Sequence, residues 1–525
     1  MTLLAASSVA ASPVTQEQFR HLATAVGVVF WTICFALIFF MQAGFQLLEG
    51  GSIRAKNVAH VGAKVMAHMG IAIVVFYAVG FAVKGFGWPL CYLIHSDGKP
   101  IADAADAITG YSGWRAAGGS WLPWSFAATP DGYAWSFFGS LVFCITSTAI
   151  PGTVFSERFT FKGYLLYALI YTAIIYPVFG WFVWGGLAGS PLLDPHSGFL
   201  GFFDRWFTPA VNSEWGKKLI EYGMAPDAGG THFYAPYTDY AGSTGVHVLG
   251  GVVGMVGAWY VGPRRGKFDR HGRPVAIPAH DVPMAVFGAL LLAFCWFGFN
   301  CGSVVANYFK NPAIGEGAGP RGLYLADFLF SDVWWVSVVT AMSAAGGVLG
   351  SMIVGKAIFG KPDPLVIANG LLGALVAVCA GVGFMPPWYG FFVGLCAGAQ
   401  FPFTLRFVEH RLKLDDAIGT IACHMCSGAI GGILAGVWGQ LFWWGWIPLD
   451  WVHPGGGLLS GTFIPTLPIQ IVGLLALFAW GLPSAYVMYK VIDRTVGCRV
   501  SEEDEQMGLD LAEHGIEAYP HRADE

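Results

Sequence analysis

Two short stretches of the chain combine an aspartate, a glycine and a histidine at the same spacing. The stretches DYAGSTGVH and DAIGTIACH begin at Asp239 and Asp416, with a glycine three residues later and a histidine eight residues later. Each histidine, His247 in the first stretch and His424 in the second, lies in an otherwise apolar run. Ionisable groups inside membrane helices usually mark ion paths or proton relays, so this pair predicts such a path.

The composition indicates a protein that crosses a membrane many times. Of the 525 residues, 55% are hydrophobic and only 12% are charged, which differs strongly from the balance found in soluble domains. The net charge of -5 is slight, so no nucleic-acid partner is predicted. Runs of about 20 apolar residues can cross a bilayer. The eleven predicted spans lie near 24–48, 58–83, 133–155, 163–188, 239–262, 282–305, 332–359, 364–384, 387–407, 416–440 and 466–492.

Lysines and arginines in the short connections predict the orientation. The connections after the odd-numbered spans are basic, beginning with Arg54 and Lys56, whereas the alternate connections are mostly poorer in positive charge. Positive charge favours the cytoplasmic side, so the amino terminus is expected outside. We predict a multi-pass domain of the inner or plasma membrane over 1–493, with external loops at about 87–130 and 189–237, and a cytoplasmic tail over 494–525.

A second pair of matches indicates an internal repeat. AGFQ in the first span contains Gly44 and Phe45, and FGFN in the sixth contains Gly298 and Phe299. Two five-helix halves in tandem insert upside down relative to each other, and such inverted repeats hold their site between the halves. Each histidine then lies about 12 Å along its helix. In a core about 30 Å thick, the two rings are separated by about 6 Å along the membrane normal and are expected to touch.

The other polar residues of these spans have simpler explanations. Both aspartates are predicted to cap their helices, because a carboxylate accepts the free N–H groups at a helix start. Cys423 and Cys426 flank His424, but this pair in an apolar helix does not complete a metal site. No metal and no cofactor is therefore predicted. Trp296 is assigned to packing, and the glycines after each histidine are expected to allow close helix contact.

The motifs resemble, in order along the chain, the signatures of the ammonium transporter family, which comprises the Amt, Mep and Rh proteins. They are MQAGFQLLEGGSIRAKN (41–57), SERFTF (156–161), DYAGSTGVHVLGG (239–251), WFGFNCGS (296–303), DDAIGTIACHMCSGAIGG (415–432) and GLDLAEHGIEAY (508–519). The tail motif favours the Amt branch. The resemblance implies a homotrimer with a separate pore in each eleven-helix protomer, which transports ammonium or ammonia, with methylammonium as a further candidate, and is not an enzyme. It also implies a PII-type regulator that binds at the cytoplasmic tail. Without the resemblance, the acidic composition of this tail is typical of a solvated chain end.

The resemblance also implies roles for individual residues. His247 and His424 correspond to the paired pore histidines, and Asp239 to an acid that supports the outer site. Trp184 resembles the aromatic wall of an outer cation site, and Ser303 resembles its hydroxyl.

A phenylalanine gate completes the implied path. Phe299 resembles one ring of that gate and Phe143 the other, with Phe138 as a rival for the second position. The chain departs from the family pattern where Gly139 and Ser140 replace the frequent Phe-Gln. Gly419 likewise stands where an acidic residue is common, and the 189–237 loop is unusually long.

The expected chemistry follows from the cost of a bare cation in hydrocarbon, which is on the order of tens of kcal/mol. An apolar path therefore favours neutral NH₃, so NH₄⁺ should lose its proton on the way in. Buried imidazoles are expected to stay uncharged. Two neutral rings can still pass a proton, so we expect NH₃ and a separately carried H⁺.

Two other functions stay open at this stage. A protein of the same fold can detect ammonium rather than move it, although the short tail leaves no room for an output domain. Alternatively, His247 and His424 could be axial ligands of a haem in a membrane oxidoreductase. The aspartate and glycine repeated with each histidine have no role in that last alternative.

Overall fold

The computed structural model describes residues 16–86, 132–184, 207–221, 231–233, 235, 237–304, 324–448, 451 and 464–519. The α-helices are α1 (Gln16–Ser52), α2 (Val58–Val75), α3 (Phe81–Phe86), α4 (Gly132–Val154), α5 (Phe161–Ile170), α6 (Tyr176–Trp184), α7 (Glu214–Glu221), α8 (Leu249–Val261), α9 (Val282–Gly302), α10 (Tyr324–Phe359), α11 (Pro364–Val378), α12 (Pro387–Phe407), α13 (Ser427–Trp443), α14 (Leu467–Thr495), α15 (Glu502–Met507) and α16 (Leu509–His514). π-Helical turns cover Phe76–Gly80, Tyr171–Ile175, Ser243–Val248, Val408–Leu412 and Ile421–Cys426. Across these ranges β structure is limited to isolated bridges, which confirms the all-α prediction for them.

Ten helical segments of the described chain are long and apolar enough to cross a membrane. They are Ala25–Ser52, Ala55–Gly80, Phe137–Val154, Phe161–Trp184, Ser243–Val261, Val282–Gly302, Val333–Phe359, Pro387–Leu412, Ile421–Trp443 and Leu467–Thr495. The eighth predicted span, 364–384, is shorter than expected, because α11 ends at Val378 after 15 residues. The carbonyls of Cys379 and Ala380 instead accept the backbone N–H groups of Ala241 and Tyr240, at 2.8 and 3.2 Å. The chain is thus an all-helical polytopic membrane protein.

Helices α1 and α9 cross closely at paired glycines. A Cβ atom added to Gly44 would lie 2.6 Å from Leu292, and one added to Gly298 would lie 2.7 Å from Leu37. Small residues allow such close approach of helix backbones. Because position 44 meets 292 while the earlier position 37 meets the later 298, the two helices run antiparallel. The AGFQ and FGFN matches therefore lie at one crossing.

The connections after the first, third, fifth and ninth predicted spans meet in a buried charge cluster. Glu157 accepts hydrogen bonds from Arg54 and, at 2.6 Å, from Arg264. Asp415 accepts two from the Arg264 guanidinium, both at 2.9 Å. Burial alone would raise the pKa of Asp415, but Arg158 and Arg264 together hold that pKa well below its usual range. These four connections thus share one face of the protein, as their positive charges predict.

The carboxy-terminal segment folds back onto the same face. Asp510 accepts the N–H groups of Ala59 and His60 at the start of α2, at 3.1 and 2.7 Å. The Lys56 ammonium donates to the carbonyl of Glu505 at 2.7 Å. Asp510 is only 2% exposed. Up to Tyr519 this segment is docked, so the reading of the tail as a solvated end is wrong.

The two long loops that the sequence predicts are described only in part. Residues 87–131 lie outside the described ranges, as do 189–206 and 222–230. Within the second loop, Trp215 of α7 packs on Phe442, with ring centroids 6.1 Å apart, and Phe233 packs on Trp443 at 5.9 Å. The described part of this loop therefore covers the end of α13.

Candidate functional site

The two Asp-Gly-His stretches adopt the same local conformation. Gly242 and Gly419 both have a positive φ, 88° and 84°, which glycine adopts without strain. A π-helical turn follows each glycine, at Ser243–Val248 and Ile421–Cys426. The predicted helix starts at 239 and 416 are therefore wrong, because a left-handed residue cannot continue a right-handed helix. Each histidine lies within a π-helical turn, a feature frequent at functional sites.

Both aspartates cap the turns that follow them. Asp239 Oδ2 accepts the N–H groups of Thr244 and Gly245 at 3.0 and 2.7 Å. Asp416 accepts three N–H groups, from residues 419–421, at 3.1, 2.9 and 2.6 Å. The capping prediction is confirmed for both. The second oxygen of Asp239, Oδ1, is buried and accepts no hydrogen bond from the described residues.

The two histidines are in direct contact. His247 Nδ1 and His424 Nδ1 are 3.2 Å apart, and the rings lie nearly parallel, with centroids separated by 5.3 Å. One neutral ring donates in this hydrogen bond and the other accepts. His247 is fully buried, and its Nε2 has no hydrogen-bond partner among the described residues. The contact that the spacing predicts is present, and it leaves one buried ring nitrogen for another group.

Two glycines allow the histidine-bearing segments to approach each other. A Cβ atom added to Gly251 would lie 2.7 Å from the backbone nitrogen of Met425, next to His424. One added to Gly428 would lie 2.5 Å from the carbonyl oxygen of Ser243. Real Cβ atoms need more room than this, so the contact between these segments depends on glycine. The role predicted for the glycine-rich stretches is confirmed.

A row of aromatic rings leads from Trp184 to the histidines. The ring centroids are 6.4 Å apart from Trp184 to Phe143, 4.4 Å from Phe143 to Phe299, and 5.5 Å from Phe299 to His247. Phe143 and Phe299 are therefore in contact and close the row between Trp184 and His247.

The rival Phe138 lies elsewhere. Its ring packs edge-on against Phe35 of α1, with centroids 5.9 Å apart. Phe35 also fills the space beside Gly139, where an added Cβ would lie 2.7 Å from its ring. Phe35 thus takes the volume that a side chain at position 139 would need. Sequence reasoning missed it, because one ring among many in an apolar span carries no distinguishing signal.

Trp184 lies at the end of α6, and two contacts of its indole ring fix its position. The indole N–H donates to the carbonyl oxygen of Asp239 at 2.9 Å, and the ring lies against Gly245, where a Cβ would be 2.7 Å away. The Ser303 hydroxyl donates to the carbonyl of Phe299 at 2.9 Å, which is an ordinary bond within a helix. No hydrogen bond within the described ranges joins Ser303 to Trp184, so the structure does not bring these two together through a polar contact.

Trp296, assigned to packing from the sequence, lies on His247. Their rings stack with centroids 5.1 Å apart and planes 20° apart. The indole N–H donates to Cys379 Sγ at 3.2 Å, which fixes the orientation of the ring. Trp296 precedes Phe299 by three residues, so both lie on one face of α9. The three-residue spacing from Phe299 was therefore the feature of the sequence that could have indicated that Trp296 lies beside His247.

The haem alternative does not fit this geometry. Two axial ligands bind from opposite faces of a porphyrin, whereas His247 and His424 touch each other directly. The described residues also contain no group of three His, Cys, Asp or Glu side chains that could hold a metal.

Comparisons with known proteins extend the match to nearly the whole chain. The profile of the Ammonium Transporter Family matches residues 29–519. Ammonium transporter Amt1 of Haloferax mediterranei is 33% identical over 500 residues, covering 95% of this chain and 80% of that protein. Ammonium transporter Amt2 of Methanocaldococcus jannaschii is 33% identical over 505 residues, covering 96% and 94%.

Solved structures share the fold. A protein described as Sensor Amt Protein superposes with a TM-score of 0.64 at 24% identity, covering 94% of this chain and 100% of that one. Mep2 of Candida albicans gives a TM-score of 0.60 at 19% identity, covering 93% and 89%. At these identities the likeness shows the fold alone.

Proposed function

The chain belongs to the ammonium transporter family, and from that premise we propose that it carries ammonium across the membrane along the row of rings that ends at His247 and His424. The observation that carries the proposal is the 3.2 Å contact between these two imidazoles, deep in an apolar bundle and behind a closed pair of phenylalanines. Core packing does not require two ionisable rings that meet across two separate helices.

The architecture that we propose is an inverted five-plus-five helix repeat followed by a final span. The antiparallel crossing of α1 and α9 and the shared conformation of the two histidine turns support it. We place the amino terminus outside and the segment from 494 onward in the cytoplasm. The basic connections, which meet on one face together with that segment, support this orientation.

In the first step of the proposed transport, NH₄⁺ binds on the outer side against Trp184. An indole face attracts a partly desolvated cation by roughly 2 kcal/mol. Asp239 contributes a buried oxygen, Oδ1, that accepts no hydrogen bond from the described part of the chain and lies close to the peptide that holds the Trp184 indole. The Ser303 oxygen keeps lone pairs that can accept an N–H group of the substrate.

In the second step, the ion loses a proton before it passes Phe143 and Phe299. These rings touch, so nothing hydrated fits between them, and an unpaired cation in such surroundings costs on the order of tens of kcal/mol. Neutral NH₃ avoids that cost. His247 and His424 pass the proton separately, because one ring donates to the other while His247 Nε2 is left to exchange a proton with the path.

The proposal also includes the assembly. We propose a homotrimer with one path in each protomer, and a PII-type regulator that binds near the docked carboxy-terminal segment. Both parts rest on the family resemblance. Exposed apolar side chains on α1, such as Val29 at 60% and Phe40 at 53%, supply a surface that lipid or a neighbouring protomer would cover.

Current measurements on purified protein in proteoliposomes test the proposal. Pulses of ammonium should produce inward charge movement, and His247→Ala should lower the flux or loosen selectivity against K⁺. His271→Ala, on the exposed surface, is the matched control and should behave like the wild type. Uptake without charge movement would refute the separate proton path. Ammonium binding without uptake would instead identify a sensor, and unchanged flux and selectivity in His247→Ala would remove His247 from the mechanism.

A further inference from the structure

The proposed outer cation site already contains a positive charge that belongs to the chain. The Lys84 ammonium lies 5.5 Å from the centroid of the Trp184 ring, a distance at which an indole face attracts a cation. The same ammonium donates a hydrogen bond to Ser140 Oγ at 2.7 Å. Lys84 thus reaches, from the short helix α3, the ring against which NH₄⁺ is proposed to bind.

The wall formed by α6 fits the whole lysine side chain. A Cβ atom added to Gly180 would lie 3.4 Å from both Cγ and Cε of Lys84 and 3.5 Å from its Cδ. The lysine stem therefore runs past the one residue of that turn that has no side chain. Gly180 and Trp184 are four residues apart, so both lie on the same face of the helix. The stem passes the glycine and the charged group reaches the tryptophan.

The charged group of lysine resembles the substrate in its chemistry. It is a primary alkylammonium with three N–H donors, the same group as in methylammonium and close to NH₄⁺ in charge and hydrogen bonding. A second cation on the same ring would meet a like charge at short range, so the two cannot bind together favourably.

We propose that Lys84 is a tethered competitor for the outer cation site, and that external ammonium must displace its charged group from Trp184 before transport begins. This inference rests on the proposed function of the site. A group held on a short tether acts at an effective concentration of the order of millimolar. Lys84 therefore sets the ammonium concentration at which the protein begins to respond, and the site fills only when ammonium is plentiful.

The test compares the ammonium dependence of variants of the full-length protein. Lys84→Met keeps the length of the stem and removes the charge, so the half-saturating ammonium concentration should fall, by about threefold or more, because the tethered competitor is lost. Lys84→Arg keeps the charge and should stay nearer to the wild type. Lys217→Met, which removes an exposed lysine of α7, is the control. Both transport currents and calorimetric binding of ammonium chloride to purified protein are measured.

The outcomes separate this inference from the proposed function. An unchanged or higher half-saturating concentration in Lys84→Met overturns the competitor, while wild-type transport still supports the function. If the decrease in half-saturating ammonium concentration disappears at high salt, the long-range electric field of the Lys84 charge explains the decrease, because salt screens such fields. Direct competition by Lys84 is then overturned as well. If Lys84→Met does not fold, Ser140→Ala decides, since it weakens the hold on Lys84 and should lower the concentration about twofold. Wild-type protein that neither binds nor transports ammonium would refute the function itself.

Discussion

Replacing Gly251 by alanine is expected to separate the two histidines without touching either of them. The new Cβ would lie 2.7 Å from the backbone nitrogen of Met425, whereas non-bonded heavy atoms settle near 3.5 to 4.0 Å. The two segments must therefore part by about 1 Å, because the backbone at Met425 cannot rotate away as a side chain would. That shift lengthens the 3.2 Å contact between His247 and His424 to about 4 Å, which is no longer a hydrogen bond.

The expected effect on transport is a loss of about tenfold or more, equivalent to roughly 1.4 kcal/mol. Overpacking should also lower the free energy of unfolding by about 1 to 3 kcal/mol. The assay is the initial ammonium current in proteoliposomes, normalised to folded protein, together with thermal unfolding in detergent.

Two matched glycine variants separate the effect on the histidines from general damage. A Cβ at Gly254, on the same helix, would crowd Val154 at 2.5 Å instead of the second histidine segment. Gly254→Ala should therefore lose similar stability but keep its current per folded molecule. Gly70→Ala meets no atom within 4 Å and should be neutral or slightly stabilising. Wild-type current in Gly251→Ala, or an equal loss in Gly254→Ala, would refute the reasoning.

Two further predictions concern the buried charges and the docked segment on the face that carries the basic connections. Asp415→Asn leaves Arg264 without its main partner and should lower the free energy of unfolding by about 3 to 5 kcal/mol in chemical denaturation. Because folding lowers the pKa of Asp415, the stabilisation from this carboxylate is complete above about pH 4 and is lost as the pH falls further. The stability of the variant should therefore depend less on pH in acid than that of the wild type, and equal pH profiles would contradict this. Asp510→Ala removes the acceptor of two N–H groups at the start of α2. The segment after Arg499 should then be cleaved by protease while the membrane spans stay intact, and unchanged proteolysis would overturn this expectation.

The features that the sequence predicts correctly depend on local patterns. Long apolar runs identify the spans because the hydrocarbon thickness fixes their length. The repeated spacing from Asp239 and Asp416 predicts that His247 and His424 meet, because two antiparallel helices of equal depth bring equivalent positions together. The capping by both aspartates is also predicted from local sequence, because a carboxylate just before a helical turn accepts the free N–H groups at the start of that turn.

The features that the sequence does not predict depend on contacts between distant segments. α11 ends at Val378, and the carbonyls of the next two residues, Cys379 and Ala380, bond to residues 240–241, more than a hundred positions away. The helix starts are displaced by the positive φ of Gly242 and Gly419, which composition alone does not reveal. Lys84 lies just past its predicted span and reads as an ordinary end-of-helix lysine. Only the fold brings it to Trp184.

The early end of α11 also affects how the protein can be made. Tyr240 and Ala241, before His247, donate to the two carbonyls that follow α11, and the Ser243 hydroxyl donates to the carbonyl of Val376 within α11 at 2.9 Å. A nascent chain that has emerged only as far as α8 therefore contains the Asp239 cap of its histidine turn but lacks these three acceptors. The first histidine reaches its final place only after the second half of the chain has been synthesised and inserted. Until then the contact between His247 and His424 cannot form, so an unfinished protein in the membrane lacks the pair of rings on which the proposed transport depends.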